Sequence, residues 1–358
     1  MRVLNLWAED TTANLGVHVL AEGTSALVRS AHPDAEVVCQ SYGHGPAPAN
    51  IGVPRTLLRE RATDRRGLRS WVRSFDYVVD TRAGDSFADI YGIQRLFAMS
   101  AMAEFVRSCG VPLVMGPQTI GPFDSPRGRA IGRWSLHRAT RVMARDPLSA
   151  DAARALGRPA DVLTTDVVFA LDVPEASAER DVLFNVSGLL WNSDSHGPAS
   201  AYQGLVRGLL ADLAARGRSV TLLSHVLDTD DTADSDGAVV RVLGDELGLD
   251  HLVPTSLTDV RAAMRGARLV LGSRMHACLN ALSVGTPALP LAYSRKFAPL
   301  LSAVGWPHVV SLADADARTT VQDLLDRQDE LTGRVATVRE TARPMLDAAR
   351  DCLRSVAG

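Results

Sequence analysis

An α/β fold of two Rossmann-like domains, each on a parallel sheet, is predicted by three features of the sequence. Short β-branched runs alternate with longer Ala-, Leu- and Arg-rich segments along nearly the whole chain, the pattern of parallel strands joined by crossover helices. The pattern is interrupted by a small, charged, proline-bearing stretch at 173–180 and then resumes. The length, 358 residues, suits two cores better than one.

The first domain, residues 1–172, carries strands expected at 3–7, 36–41, 76–81, 112–117, 141–144 and 162–165, each followed by a turn or a helical pattern. The second, 181–318, opens on the apolar strand 181–186 and continues with strands near 219–224, 251–253, 268–272, 287–292 and 308–311. The segment 319–358 is helical by period up to about 355 and long enough to pack across the domain junction. Two such domains face each other across a cleft, and ligands of open parallel sheets bind outside the C-terminal ends of the strands. The site is therefore sought in loops that follow strands.

Composition narrows the function. With 46% apolar and 22% charged residues and a formal net charge of -3, the chain reads as a soluble globular protein. No apolar run approaches the ~18 residues a spanning helix needs, and the N-terminus has no leader-like apolar core, so a cytoplasmic location is expected. The balance supplies no global basic field, and no nucleic-acid partner is expected. Cys39, Cys109, Cys278 and Cys352 are scattered and read as buried thiols; no cluster has metal-ligand spacing, so no metal is expected. The acidic run Asp228–Asp236 lacks the offsets of a calcium loop and reads as a solvated loop capping the next helix. Arg55–Arg73 fits a solvated helix or a contact with a membrane surface.

The richest stretch runs from Leu269 to Lys296. It reads strand, polar turn, helix, glycine cap, strand, basic turn. Ser273, Arg274 and His276 fall at the strand-to-helix turn, where side chains and the free N–H groups of a first helical turn can converge on an anion. Arg274 fits either a ligand contact or an ion pair fastening the helix start. Lys296, the only lysine among 38 basic residues, starts the element after the next strand and would bring a second cation to the same sheet edge.

These residues carry a resemblance. Ser273-Arg274-Met275-His276, Gly285-Thr286-Pro287 and Tyr293-Ser294-Arg295-Lys296 resemble the polysaccharide pyruvyl transferase family. Gly116-Pro117-Gln118-Thr119-Ile120-Gly121-Pro122-Phe123, Arg145-Asp146-Pro147-Leu148-Ser149, Asp166-Val167-Val168-Phe169-Ala170-Leu171 and Gly84-Asp85-Ser86-Phe87 look like further motifs of that family, in its order. Two places depart from the pattern. Asn14-Leu15-Gly16-Val17-His18 lacks the acid usual after the glycine, and Arg82-Ala83-Gly84 stands where three glycines are usual.

The resemblance implies a GT-B-like fold, with the acceptor on the first domain and phosphoenolpyruvate on the second. It implies transfer of the pyruvyl group to hydroxyls of a sugar or glycan acceptor, lipid-linked or not, as a ketal with release of phosphate. No cofactor beyond the donor is implied. Arg274, Arg145 and Lys296, with Ser273 and the helix start, are the expected grip on the donor's phosphate and carboxylate. His276 is the expected acid, its protonated form favoured beside the donor's negative charges. Asp85 is the expected base; Gln118 and Asp89 could orient the acceptor or merely hold their turns. Two other readings fit the architecture: a nucleotide-sugar glycosyltransferase, and a non-catalytic binding protein. The oligomeric state is not written in these motifs.

Overall fold

The computed structural model describes residues 1–227 and 234–356, and the chain divides into two compact units. Unit 1 comprises Met1–Asp10, Val17–Ala170 and Ala342–Gly358; unit 2 comprises Thr11–Gly16 and Leu171–Thr341.

Unit 1 holds β1 (Arg2–Leu6), β2 (Glu36–Gln40), β3 (Tyr77–Asp80), β4 (Leu113–Gln118), β5 (Arg141–Ala144) and β6 (Val162–Leu163), all parallel, in the order β2-β1-β3-β4-β5-β6. Its helices are α1 (Leu15–Ala31), α2 (Pro54–Thr63), α3 (Leu68–Val72), α4 (Ile93–Ser108), α5 (Pro126–Leu136) and α6 (Pro147–Ala155). Leu4, Leu6, Val78, Leu113, Met115 and Val142 lie in its buried core. Strands sealed on both faces need near-continuous apolar runs, which is what β3 and β4 supply.

Unit 2 repeats the plan with β7 (Arg180–Asn185), β8 (Val220–Leu223), β9 (Asp250–Leu252), β10 (Ala267–Gly272), β11 (Ala288–Ala292) and β12 (Val310–Ser311), in the order β12-β11-β10-β7-β8-β9. The helices are α7 (Gly188–Asn192), α8 (Ala199–Ala215), α9 (Asp236–Leu247), α10 (Leu257–Arg265), α11 (Met275–Ser283), α12 (Phe297–Ala303), α13 (Ala317–Asp326) and α14 (Gln328–Arg354).

Every strand expected from the sequence is present, with ends within two residues. The helical segment expected from 319 is two helices. Arg327, at φ -108°, leaves the α conformation, and its carbonyl accepts the Glu330 and Leu331 amides at the start of α14. The end of α14 belongs to unit 1, where Thr164 donates to the Met345 carbonyl at 2.8 Å.

In each sheet the strand order reverses once, between β1 and β3 and between β7 and β10. Crevices outside the carboxyl ends of such neighbours are where open α/β sheets bind ligands. Among the described residues no helix is long and apolar enough to cross a membrane.

Candidate active site

In unit 2 the reversal point is built around one buried carboxylate. Asp236, wholly buried at the start of α9, accepts from Asn185 Nδ2 at 3.3 Å, from the Gly188 and His225 amides at 2.8 and 3.1 Å, and from Arg274 Nε and Nη2 at 3.2 and 2.8 Å. The turns after β7, β8 and β10 are thereby tied to one group. Asn185 completes the arrangement by accepting the Arg274 amide at 2.9 Å. Arg274 Nη2 also donates to Asp234 at 2.6 Å. Burial opposes the charge on this guanidinium, but Asp236 and Asp234 outweigh it and hold its pKa above the ordinary value.

The braced turn leads directly into α11. Of the described residues from Leu269 to Val284, only His276 is not buried. It sits in the first turn of α11, where backbone N–H groups have no intrahelical acceptor and the helix dipole favours an anion. Beside it runs the short N-terminal segment of unit 2. Asn14 pairs with Val226 as an antiparallel bridge, Leu227 N donates to the Ala13 carbonyl at 2.6 Å, and Asn14 Oδ1 accepts the Gly16 amide at 2.9 Å. A Cβ on Gly16 would stand 2.8 Å from His276 Nδ1, so glycine is required for this approach. On the neighbouring strand β11, in register with β10 through Gly272 and Pro290, the chain continues past Tyr293 to Lys296, the N-cap of α12. Tyr293 packs against His196 in a tilted arrangement and against Phe297 edge to face, with ring centroids 4.7 and 5.5 Å away.

In unit 1 the loops after β3, β4 and β5 form a second connected edge. Thr119 N donates to the Gly84 carbonyl at 2.9 Å, and Arg145 Nε donates to Thr119 Oγ1 at 2.9 Å. Asp85 is partly exposed there and accepts from the Tyr91 hydroxyl at 2.8 Å. Arg82, Ala83 and Gly84 all take positive φ, 47°, 50° and 83°. That geometry explains why glycines would suit the three positions, and here the two non-glycine residues carry backbone strain. Arg82 anchors it: wholly buried, it donates to Asp80 at 2.8 Å, Ser100 at 3.1 Å and Ser135 at 2.6 Å. Burial pushes the Asp80 carboxyl up, against the pull of Arg82.

The structure shows how the side chains expected at the site are held. Arg274 is engaged by two carboxylates and 8% exposed, which fits the ion-pair alternative. Arg145, 1% exposed, pairs with Asp166 at 2.8 Å, while Asp146 caps α6 and bonds Ser149 instead of pairing with its neighbour. Ser273 is wholly buried and accepts from the Tyr202 hydroxyl at 2.7 Å. Gln118, also wholly buried, donates to the Asp80 carbonyl at 3.1 Å. Asp89 accepts from the Asp124 and Ser125 amides and the Ser125 hydroxyl, which fixes the loop that includes the cis Gly121–Pro122 bond. These five brace the site. His276, Lys296, Asp85 and Asp89 are the partly exposed members of the expected set.

Most of the acidic run at 228–236 lies outside the described residues. Ser235 does cap α9, its hydroxyl accepting the Ala238 amide, but Asp236 is no solvated residue. Sequence reasoning missed Asp236, Asn185 and the proximity of Gly16 to His276. Asn185, a polar side chain ending an apolar strand, was the available signal. Among the described residues no group of three or more His, Cys, Asp or Glu is placed to hold a metal.

Comparison with known proteins agrees with this architecture. The chain is 23% identical over 320 residues to the amylovoran biosynthesis protein AmsJ of Erwinia amylovora, covering 82% of this chain and 74% of that one. A UDP-GlcNAc 2-epimerase from Neisseria meningitidis bound to UDP-GlcNAc superposes with a TM-score of 0.56 at 11% identity, covering 97% of this chain and 99% of the other. The spinosyn rhamnosyltransferase SpnG, complexed with thymidine diphosphate, gives 0.50 at 14% identity over 100% of both chains. These likenesses establish a GT-B-like fold. The family model for polysaccharide pyruvyl transferase matches residues 14–295, from the segment beside His276 to the turn after β11. The chain belongs to the polysaccharide pyruvyl transferase family.

Proposed function

We propose that the protein transfers the pyruvyl group of phosphoenolpyruvate to two hydroxyls of a glycan, forming a cyclic pyruvate ketal in polysaccharide biosynthesis. The observation that carries this reading is His276: the one partly exposed side chain on a buried, braced strand-to-helix turn at the reversal point of the unit 2 sheet. AmsJ, by its description an amylovoran biosynthesis protein, supports the polysaccharide context.

The chemistry follows from the donor. His276 gives a proton to the methylene carbon, which becomes a methyl group while positive charge develops at C2. One glycan hydroxyl forms a C–O bond to C2 and loses its proton to a base, for which Asp85 is proposed. The C2–O bond to phosphate then breaks, and the second hydroxyl closes the ketal. Of the two hydroxyl protons, one replaces that given by His276 and one leaves with phosphate. The N–H groups at the start of α11 and the Lys296 ammonium are the proposed grip on the donor's anions. Arg274, Arg145, Ser273, Gln118 and Asp89 act as positioning residues.

The test is phosphate release from phosphoenolpyruvate with a panel of glycan acceptors, with mass spectrometry on the products. The expected product gains one pyruvate less one water, and His276→Ala abolishes the gain. Calorimetric binding of a nucleotide diphosphate sugar, with none of phosphoenolpyruvate, would replace this reading with sugar transfer.

A further inference from the structure

The site described above leaves one face of unit 1 unused. Helices α2 and α5 both pack on α4, and among them opens an apolar groove of about 740 Å³. Val53, Leu57, Leu58, Phe97, Phe105 and Trp134 line it. Leu58 is 68% exposed and Phe97 46%; Ile90 and Tyr91, just before α4, are also exposed. A second hollow of about 800 Å³ shares Val53, Pro54 and Phe97 with the first, so the apolar surface is continuous. Single exposed apolar residues need no explanation, but a joined surface of this kind does.

Its charge is one-sided. The three helices carry eight arginines, Arg55, Arg59 and Arg61 on α2, Arg95 and Arg107 on α4, and Arg127, Arg129 and Arg133 on α5. Their only acids are Glu60 and Glu104. Glu60 is buried and accepts the Arg66 and Leu68 amides, and Glu104 is held by Arg107 and Arg138 at 3.1 and 3.5 Å. Of the arginines, Arg55, Arg61 and Arg95 line the two hollows, with Glu104 the one acid among the lining residues and itself held by Arg107 and Arg138, so the lining is net positive on a chain whose net charge is -3.

We propose that this groove is a peripheral docking site for an anionic phospholipid bilayer. Apolar side chains projecting between arginines match a layer in which anionic headgroups lie over acyl chains, with a tryptophan at the boundary. The inference does not depend on the transfer chemistry, and its test does not use activity.

The test is flotation of the full chain with vesicles of phosphatidylcholine alone or of an equimolar mixture with phosphatidylglycerol. Binding to the anionic vesicles is expected to exceed binding to neutral ones by about tenfold or more and to fall as salt is raised. Leu58→Glu and, separately, Phe97→Glu are expected to cut it by about tenfold with an unchanged melting temperature, because both side chains are exposed. Absence of vesicle binding, equal binding to both compositions, or wild-type binding by both variants would overturn the proposal. So would a wild-type dimer that Leu58→Glu converts to monomer, since the groove would then be covered by a second copy.

Discussion

Asp236 and Arg274 share two hydrogen bonds, from Nε at 3.2 Å and Nη2 at 2.8 Å, in the buried floor beneath the first turn of α11. The same carboxylate holds the turns after β7 and β8, so the pair sets where His276 stands. Removing Asp236 leaves the buried Arg274 guanidinium with Asp234 alone and strips the Gly188 and His225 amides of their acceptor. Asp236→Ala is expected to destabilise the fold by about 3 kcal/mol. Urea unfolding checks this. Arg274→Ala should behave alike; a raised KM for phosphoenolpyruvate with unchanged stability would instead mean that Arg274 contacts the donor.

Gly16→Ala tests the approach to the imidazole. The added methyl would stand 2.8 Å from Nδ1, so the ring or the segment must shift. Displacements on the order of 1 Å cost about a hundredfold in rate, and kcat is expected to fall by about ten- to a hundredfold. The melting temperature should change little, which separates misplacement from unfolding. Unchanged kcat would remove His276 from the chemistry or the glycine from its neighbourhood.

Asp89 gives a pH prediction. Burial works to raise its pKa, but the Ser125 hydroxyl and the Ser125 and Asp124 amides outweigh that and hold it below the usual aspartate value. A carboxyl whose folded pKa is depressed adds stability that is present above its unfolded pKa and lost as pH falls through the folded one. Asp89→Asn should therefore cost about 1–2 kcal/mol at neutral pH, and the difference from wild type should shrink progressively as pH falls below the ordinary aspartate value. Denaturant melts at pH 7 and pH 3 read both values. An equal loss at both would mean that the carboxylate charge plays no part.

The left-handed run after β3 predicts a small gain. Ala83 at φ 50° costs about 1–2 kcal/mol, and glycine would relieve it. The same substitution loosens the unfolded chain by about 0.4–1 kcal/mol, so Ala83→Gly should stabilise by at most about 1.6 kcal/mol. Arg82→Gly should destabilise despite its own φ of 47°, because it strips the buried Asp80 of its cation. Thermal melts of the two variants should move in opposite directions.

The sheets were legible because each strand is a local apolar run between turn residues, and the strand-end motifs followed from them. The bracing was not. Whether Arg145 meets a ligand or Asp166, twenty-one residues away, depends on tertiary pairing that no spacing reveals. Asp236 was hidden for the opposite reason: it ends an acidic run whose composition suggests solvent, yet it is wholly buried. The missing acid after Gly16 is legible in the sequence only as a departure from the family pattern. The glycine before it lies against His276, a proximity that spacing alone does not reveal.

The segment Thr11–Gly16 has a consequence for taking the protein apart. It supplies the antiparallel partner of Val226, more than two hundred residues downstream. A fragment started at Leu171 would lack both that partner and the wall over the imidazole. The second unit is thus not separable by cutting at the linker; its minimal gene is discontinuous, and a faithful excised version needs residues 11–16 grafted back.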